Sequence, residues 1–254
     1  MLHRIIAASA LLLTAVASAQ TTIGSWRLGE DDAAPTNGGA VTTSIAQSGA
    51  LGNLTASGAV TYSTGTPGIG STWSISLGSG SPSLALGSNL GVNDNYAIEA
   101  WVNPVSAGSV QLIFAHGNTA TDGMALLINA GKFDIQVSGL SAVTNAYTMP
   151  SATAGAWSHL ALVMDNGTPW LYYNGVGYTA VGLTHNNATS AFALGGFNYA
   201  GDVDGLRVFT FTSGTFNASM LGYSAVPEPS TYAALAGLAA LGLVIWRRRV
   251  VARA

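Results

Sequence analysis

The sequence contains no cysteine among its 254 residues, which excludes disulfide bonds and thiol chemistry. It is also poor in basic residues, because only Arg27, Lys132 and Arg207 lie between Gln20 and Val226. A protein that binds nucleic acid needs a basic surface to neutralise phosphates, so no nucleic-acid partner is predicted.

Glutamate is equally scarce, with only Glu30, Glu99 and Glu228 in the whole chain. Hydrolysis of a glycoside requires two carboxylates that flank the scissile bond. On a strand, Trp101 and Asn103 would follow Glu99 on the same face, so no second acid stands beside it. The sequence therefore argues against a glycoside hydrolase and favours a protein that is not an enzyme.

The first nineteen residues have the three zones of a secretory signal. Arg4 supplies a positive charge, residues 5–16 are mostly apolar, and Ala17-Ser18-Ala19 is a small-residue cleavage site. We therefore predict that residues 1–19 are a signal peptide and that the chain is exported. Without disulfides, the exported domain must be held together by burial and hydrogen bonding.

Residues 20–224 lack an amphipathic helical stretch of useful length. They contain short alternating or β-branched runs interrupted about every ten residues by Gly, Asn, Asp and Pro, which predicts a single all-β domain. The candidate strands are residues 73–77, 96–102, 110–115, 124–129, 132–137, 157–164, 170–173, 191–194 and 201–209. Residues 31–70 are rich in Gly, Ser, Thr and Ala, and we predict long loops and edge strands there.

The last segment, residues 225–254, contains Pro227-Glu228-Pro229, an uncharged apolar run at 231–246 and an arginine cluster at 247–249. This order resembles the PEP-CTERM sorting signal. The resemblance implies that Pro227, Glu228 and Pro229 are sorting residues recognised by an exosortase-type membrane enzyme. The apolar run predicts a transmembrane helix that holds the chain in the inner membrane before sorting, with the β domain outside. The expected location is the cell envelope or the extracellular space.

Five segments of the exported region resemble the laminin-G-like branch of the concanavalin A-like lectin/glucanase superfamily. They are SWRLGE (25–30), AIEAWV (97–102), AWSHLALV (156–163), LYYNG (171–175) and, for the closing strand, LGG (194–196) with GDVDGLRVF (201–209). The resemblance implies a jelly roll of two antiparallel sheets packed face to face. The family usually has Glu after the closing Asp, where this chain has Gly205.

A structural calcium ion is one expectation from this resemblance. In the superfamily, an Asp of the closing strand often joins an acidic residue of the first strand and backbone carbonyls at such a site. The candidate ligands here are Glu30 and Asp204, with Asp202 third because it alternates with Asp204 along the strand. The alternative is that Asp204 caps a loop by hydrogen bonds to backbone amides.

Aromatic residues near the predicted hairpin ends are candidates for stacking on a sugar. Trp170, Tyr173 and Tyr199 are predicted to be exposed and to bind the ligand. We therefore expect an exported, envelope-sorted binding or adhesion module for a carbohydrate such as an exopolysaccharide. Two alternatives stay open: a structural protein of the extracellular matrix or biofilm without a specific ligand, and a glycoside hydrolase whose acids come from loops.

Overall fold

The computed structural model describes residues 20–68, 70–118, 121–137, 149–179 and 186–223. The predicted signal peptide, the sorting residues and the predicted transmembrane run lie outside these ranges. Within them, no helix is long and apolar enough to cross a membrane.

The described part of the chain consists of β-strands and one short 3-10 helix, as the all-β prediction requires. The strands are β1 (Gln20–Trp26), β2 (Thr43–Ser44), β3 (Ser48–Gly49), β4 (Leu54–Ser57), β5 (Val60–Ser63), β6 (Ser74–Leu77), β7 (Ser83–Ala85), β8 (Tyr96–Pro104), β9 (Gln111–His116), β10 (Met124–Asn129), β11 (Lys132–Val137), β12 (Ser158–Asp165), β13 (Thr168–Tyr173), β14 (Val176–Thr179), β15 (Phe192–Gly195) and β16 (Gly201–Phe211), and the 3-10 helix is Ala218–Met220.

Two antiparallel sheets form the domain. The first has the order β14-β13-β12-β8-β16-β1-β3, with β6 beside β16 and β5 beside β6. The second has the order β11-β10-β9-β15-β7-β4-β2. Their inner faces share one hydrophobic core, so the sheets pack face to face. This arrangement confirms two antiparallel sheets and is consistent with the predicted jelly roll.

Alternation along the central strands explains which side chains enter that core. In β8, Ile98, Ala100 and Val102 are fully buried and belong to the main core, whereas Ala97 packs on the opposite face. Burial of one aliphatic or aromatic side chain stabilises a fold by about 1.5–3 kcal/mol. In a chain without disulfides, this core provides the main stabilisation.

Two tight turns connect the strands at one edge of the first sheet. Asn166 and Gly167 have φ values of 51° and 75° between β12 and β13, and Asn174 and Gly175 have φ values of 48° and 79° between β13 and β14. Positive φ at both central residues is the requirement of a type I′ hairpin, which Asn-Gly satisfies with little strain.

After β16 the chain folds back as a segment that we call the strap, residues 212–223. The strap lies on the outer face of the first sheet, where Met220 and Leu221 are buried with the outward-facing side chains of β8, β12 and β16. The Phe216 ring lies 5.2 Å from that of Tyr172 and 5.1 Å from that of Phe211. The strap therefore covers apolar surface that the sheet alone would expose.

Candidate functional site

The outer face of the second sheet carries a groove that is open to solvent. Its volume is about 320 Å³, and its lining residues are Val110, Leu112, Leu127, Gln136 and Phe197. Leu112 and Leu127 form a direct cross-strand pair between β9 and β10, and Gln136 lies on the neighbouring β11. We call this the Phe197 groove.

Phe197 projects into solvent, with 60% of its surface exposed, and Val110 is 45% exposed. The turn that carries Phe197 is fixed by its neighbours: the Leu112 amide donates to the Phe197 carbonyl oxygen at 3.0 Å, and the Asn198 amide donates to Ser81 Oγ at 3.1 Å. A large aromatic side chain is thus held exposed on an ordered loop. The sequence-based candidates did not include Phe197, which lies between the predicted strands 191–194 and 201–209.

Tyr199, two residues further on, is placed differently from the prediction. Its side chain is fully buried, and its hydroxyl donates to the Asp202 carbonyl oxygen at 3.2 Å. The prediction that Tyr199 is an exposed sugar-binding residue is therefore wrong, because its hydroxyl finds an acceptor inside the fold.

The other two aromatic candidates lie apart from the groove and from each other. Tyr173 is half-buried and packs against the main core, with its ring 5.7 Å from that of Phe133. Trp170 is half-buried on the outer face of the first sheet, 6.3 Å from the ring of Tyr172. The structure does not bring the three predicted aromatic residues into one platform.

Asp204, one of the three predicted calcium ligands, lines a second, smaller pocket of about 140 Å³ together with Arg27, Gly70, Ser71 and Gly205. Asp204 is 1% exposed, and neither of its carboxylate oxygens meets the geometry of a hydrogen bond with a described residue. Burial raises the pKa of Asp204 to about 7; the nearby Ser71 hydroxyl and Gly205 amide act in the opposite direction, and the negative charge of Glu30 adds to the rise.

Glu30 approaches the same pocket through Ser71. Its Oε1 accepts hydrogen bonds from Ser71 Oγ at 2.9 Å and from the amides of Thr72 and Trp73 at 2.7 and 2.9 Å. Its Oε2 is buried and has no partner within the described ranges. Glu30, through Oε2, and Asp204 thus both have buried carboxylate oxygens without a hydrogen bond of good geometry. These oxygens lie at the same end of the first sheet.

Asp202 has other neighbours. Burial raises the pKa of Asp202, although a hydrogen bond with Ser76 acts to lower it. The Oδ2 atom of Asp202 lies close to Gly65. The described part of the chain holds no group of three or more His, Asp or Glu residues that could bind a metal ion. Gly205, where the family usually has Glu, lies at a β-bulge with φ 59°, a conformation that favours glycine.

A third depression, of about 260 Å³, lies over a buried ionic network on the outer face of the first sheet. Glu99 is 2% exposed; its Oε1 accepts from Arg207 Nε, and its Oε2 lies 3.1 Å from His159 Nε2. Burial alone would raise the pKa of Glu99, but the hydrogen bond with His159 and the charge of Arg207 outweigh burial and lower it. Among the described residues that line this depression, Glu99 is the one carboxylate, so they do not supply the pair that glycoside hydrolysis requires.

Comparison with known proteins identifies two parts of the chain. Residues 77–213, more than half of the sequence, match the family model of the concanavalin A-like lectin/glucanases superfamily. Residues 225–249 match the PEP-CTERM protein-sorting motif. No curated protein sequence matches the chain.

Several solved structures share the fold at low sequence identity. Domain 4 of AbnA, an extracellular GH43 arabinanase from Geobacillus stearothermophilus solved in complex with arabinotriose, superposes with a TM-score of 0.60 at 18% identity, over 79% of this chain and 98% of that one. A mutant of Trypanosoma rangeli sialidase with trans-sialidase activity gives 0.55 at 11% identity, over 78% of this chain and 31% of that one. The binding domain of botulinum neurotoxin serotype D superposes with a TM-score of 0.51 at 13% sequence identity, over 75% of this chain and 48% of that one.

The sandwich of two antiparallel sheets, the family match and these superpositions agree on the fold. The sorting motif indicates export and sorting to the envelope. The chain belongs to the concanavalin A-like lectin/glucanase superfamily and carries a PEP-CTERM protein-sorting motif behind its β domain.

Proposed function

We propose that the protein is a non-catalytic, envelope-sorted binding module that takes a neutral glycan chain in the Phe197 groove. The observation that carries the proposal is the exposed Phe197 ring beside the apolar pair Leu112 and Leu127, with the Gln136 amide at the same groove. Ligand sites are usually apolar concavities with a few polar groups that fix orientation, and this groove has that composition.

The chemistry of a sugar ring suits such a surface. One face of a pyranose or furanose ring presents C–H groups that pack against an aromatic ring, and the hydroxyls at its edge need hydrogen-bond partners. Phe197 supplies the apolar face, and Gln136 supplies both a donor and an acceptor. The arabinotriose complex of the arabinanase domain supports a saccharide ligand for this fold, although fold alone does not fix function.

Charge favours a neutral glycan over a polyanionic one. Residues 20–223 contain ten acidic and three basic residues, a net charge of −7, and no cation lines the groove among the described residues. Arg207, which could otherwise attract an anion, is paired with Glu99 on the other sheet. A polymer of uronic acids would therefore be repelled at low ionic strength.

A calcium ion is a second element of the proposal. Glu30 and Asp204 fit one in part, because both have buried carboxylate oxygens without hydrogen bonds and calcium takes such oxygens in flexible geometry. Backbone carbonyls would complete the set. When bound, the ion would neutralise these buried charges and link the turn that follows β1 to β16.

The tail completes the proposed role. An exosortase-type enzyme would recognise Pro227, Glu228 and Pro229, and the apolar run 231–246 would anchor the chain in the inner membrane until sorting. The β domain would then be displayed at the envelope or released outside. The alternative of a matrix protein without a specific ligand makes the opposite binding prediction.

The test is binding of recombinant residues 20–223 to neutral polysaccharides, including arabinan, and to polyuronates, measured by calorimetry and pull-down. We expect saturable binding to a neutral polymer, weakened about two- to tenfold by Phe197→Ala because one stacked ring contributes about 0.5–1.5 kcal/mol. Val105→Ala, at a residue 71% exposed that does not line the groove, is the matched control.

Trp170→Ala separates the groove from the other aromatic candidate. Loss of binding in Trp170→Ala with full affinity in Phe197→Ala would move the site to the first sheet. A folded sample that binds no polymer would favour the structural role, and release of reducing ends would favour an enzyme.

A further inference from the structure

The strap is fixed to the first sheet immediately before the sorting motif. The Gly222 amide donates to Glu99 Oε2 at 2.9 Å, and Arg207 Nη2 donates to the Met220 carbonyl oxygen. The Tyr223 ring then packs 5.9 Å from that of Trp101. We call the two hydrogen bonds to Glu99 and Arg207 the clamp.

The clamp determines how far the domain can lie from the tail. From Gly222 to Thr231, where the apolar run begins, the chain has nine residues and can reach at most about 32 Å. If the strap left the sheet, the last fixed residue would be Phe211, and twenty residues could span about 70 Å. Release would expose Met220 and Leu221 to water, so burial of these two side chains favours the clamped form.

The clamp and the Phe197 groove lie on opposite sides of the sandwich. The strap covers the outer face of the first sheet, whereas the groove lies on the outer face of the second. The two sheets are separated by about 10 Å, and side chains add to this distance. Because the connection starts from the strap, it keeps the outer face of the first sheet nearer to the tail than the outer face of the second sheet.

The composition of the strap suits a position beside a bilayer. Residues 212–223 contain no charged residue, although the domain has ten acidic ones. A charged side chain loses hydration when it is pressed against a bilayer, whereas an uncharged segment avoids this cost.

We propose that the face around Trp101, His159 and Tyr223 is the side turned to the membrane that holds the tail, and that the clamp keeps the Phe197 groove facing outward. The inference rests on the proposed membrane run and on the proposed groove. Its partner is the lipid surface itself, and its consequence is that a glycan outside the membrane meets the groove first.

The absence of cysteine makes the test direct, because a single introduced cysteine takes a fluorescent donor. The full chain with Ser219→Cys in the strap, or with Val110→Cys at the groove, is reconstituted in nanodiscs that contain acceptor-labelled lipid. We expect clearly higher energy transfer from the Ser219 position, which corresponds to a distance to the bilayer at least about 10 Å shorter.

Two variants test the clamp itself. Met220→Ala with Leu221→Ala loosens the strap, and an insertion of eleven Gly and Ser residues after Tyr223 lengthens the connection while the clamp stays intact. Either change should reduce the difference in transfer between the two positions at least twofold, and the insertion leaves the folded domain untouched.

Equal transfer from both positions in the unaltered chain would overturn the inference. Glycan binding is measured on the Ser219→Cys sample, because Ser219 does not line the groove whereas Val110 does, so the proposed groove can stand while the orientation fails. Failure of the tail to insert would overturn the membrane run, and with it the inference.

Discussion

Removal of the Glu99 carboxylate is the sharpest test of what holds the first sheet and the strap together. In Glu99→Ala, the Arg207 guanidinium, the His159 ring and the Gly222 amide all lose a partner at once. Loss of one member of a buried ion pair costs about 3–5 kcal/mol, because the other member is left uncompensated.

The loss of unfolding free energy in Glu99→Ala should lie near the lower end of that range. The side chain of Arg207 is 22% exposed, so water can solvate part of its charge, whereas that of Glu99 is 2% exposed. We therefore expect about 3 kcal/mol, equivalent to a fall in Tm of roughly 6–12 °C for a domain of this size.

The assay is urea unfolding of residues 20–223 followed by tryptophan fluorescence. The matched control is Asp31→Ala, which removes a carboxylate from the surface pair with Arg27, where the charged atoms are 3.6 Å apart. Exposed pairs contribute about 0–1 kcal/mol, so the control should be nearly neutral. A loss for Glu99→Ala no larger than that of the control would refute the reasoning.

The pH dependence has a definite sign. The folded-state pKa of Glu99 is lowered from its ordinary value of 4.5, so its ionised form stabilises the fold above that pH. This stabilisation is lost as the pH falls below 4.5 towards the folded-state pKa. Glu99→Gln should therefore flatten the acid limb of the stability curve, and an unchanged acid limb would contradict the assignment.

Two further predictions concern calcium and the backbone. Calcium should raise the Tm of residues 20–223 and EDTA should reverse this, while Asp204→Ala should abolish the response; a folded sample with no shift would exclude the site. Gly123→Ala should destabilise far more than Gly167→Ala in thermal melts, because both glycines have φ near 70° but only at Gly123 would a Cβ meet the His116 carbonyl, at 1.9 Å. Equal losses of Tm in the two variants would show that the positive φ, and not the contact with the His116 carbonyl, determines the destabilisation.

The longer strands could be predicted because each of them is an alternating or β-branched run with turn residues at both ends. The predicted runs 124–129 and 132–137 coincide with β10 and β11, and the run 201–209 falls two residues short of the end of β16. The short strands β7 and β14 were missed, since three or four residues show too little alternation to be distinguished from loop.

The groove could not be predicted, because it depends on which of two neighbouring aromatic residues turns inward. A hydroxyl usually favours the surface for Tyr over Phe, yet here Tyr199 is buried and Phe197 is exposed. The decisive facts are the positive φ of Asn198 between them and the carbonyl of Asp202 that accepts the Tyr199 hydroxyl. Both facts arise from the tertiary fold and leave no pattern in the sequence.

The strap also determines which outer face of the sandwich stays uncovered. Both sheets carry apolar residues outward: Ala97 and Phe209 on the first, Leu112 and Leu127 on the second. On the first sheet, the chain itself covers them through the strap. On the second, the described residues leave a groove with an exposed Phe197, which is the apolar surface that the proposed binding site uses. Because the sorting motif follows the strap directly, the segment that leads to the proposed membrane run also covers the face opposite the proposed binding groove.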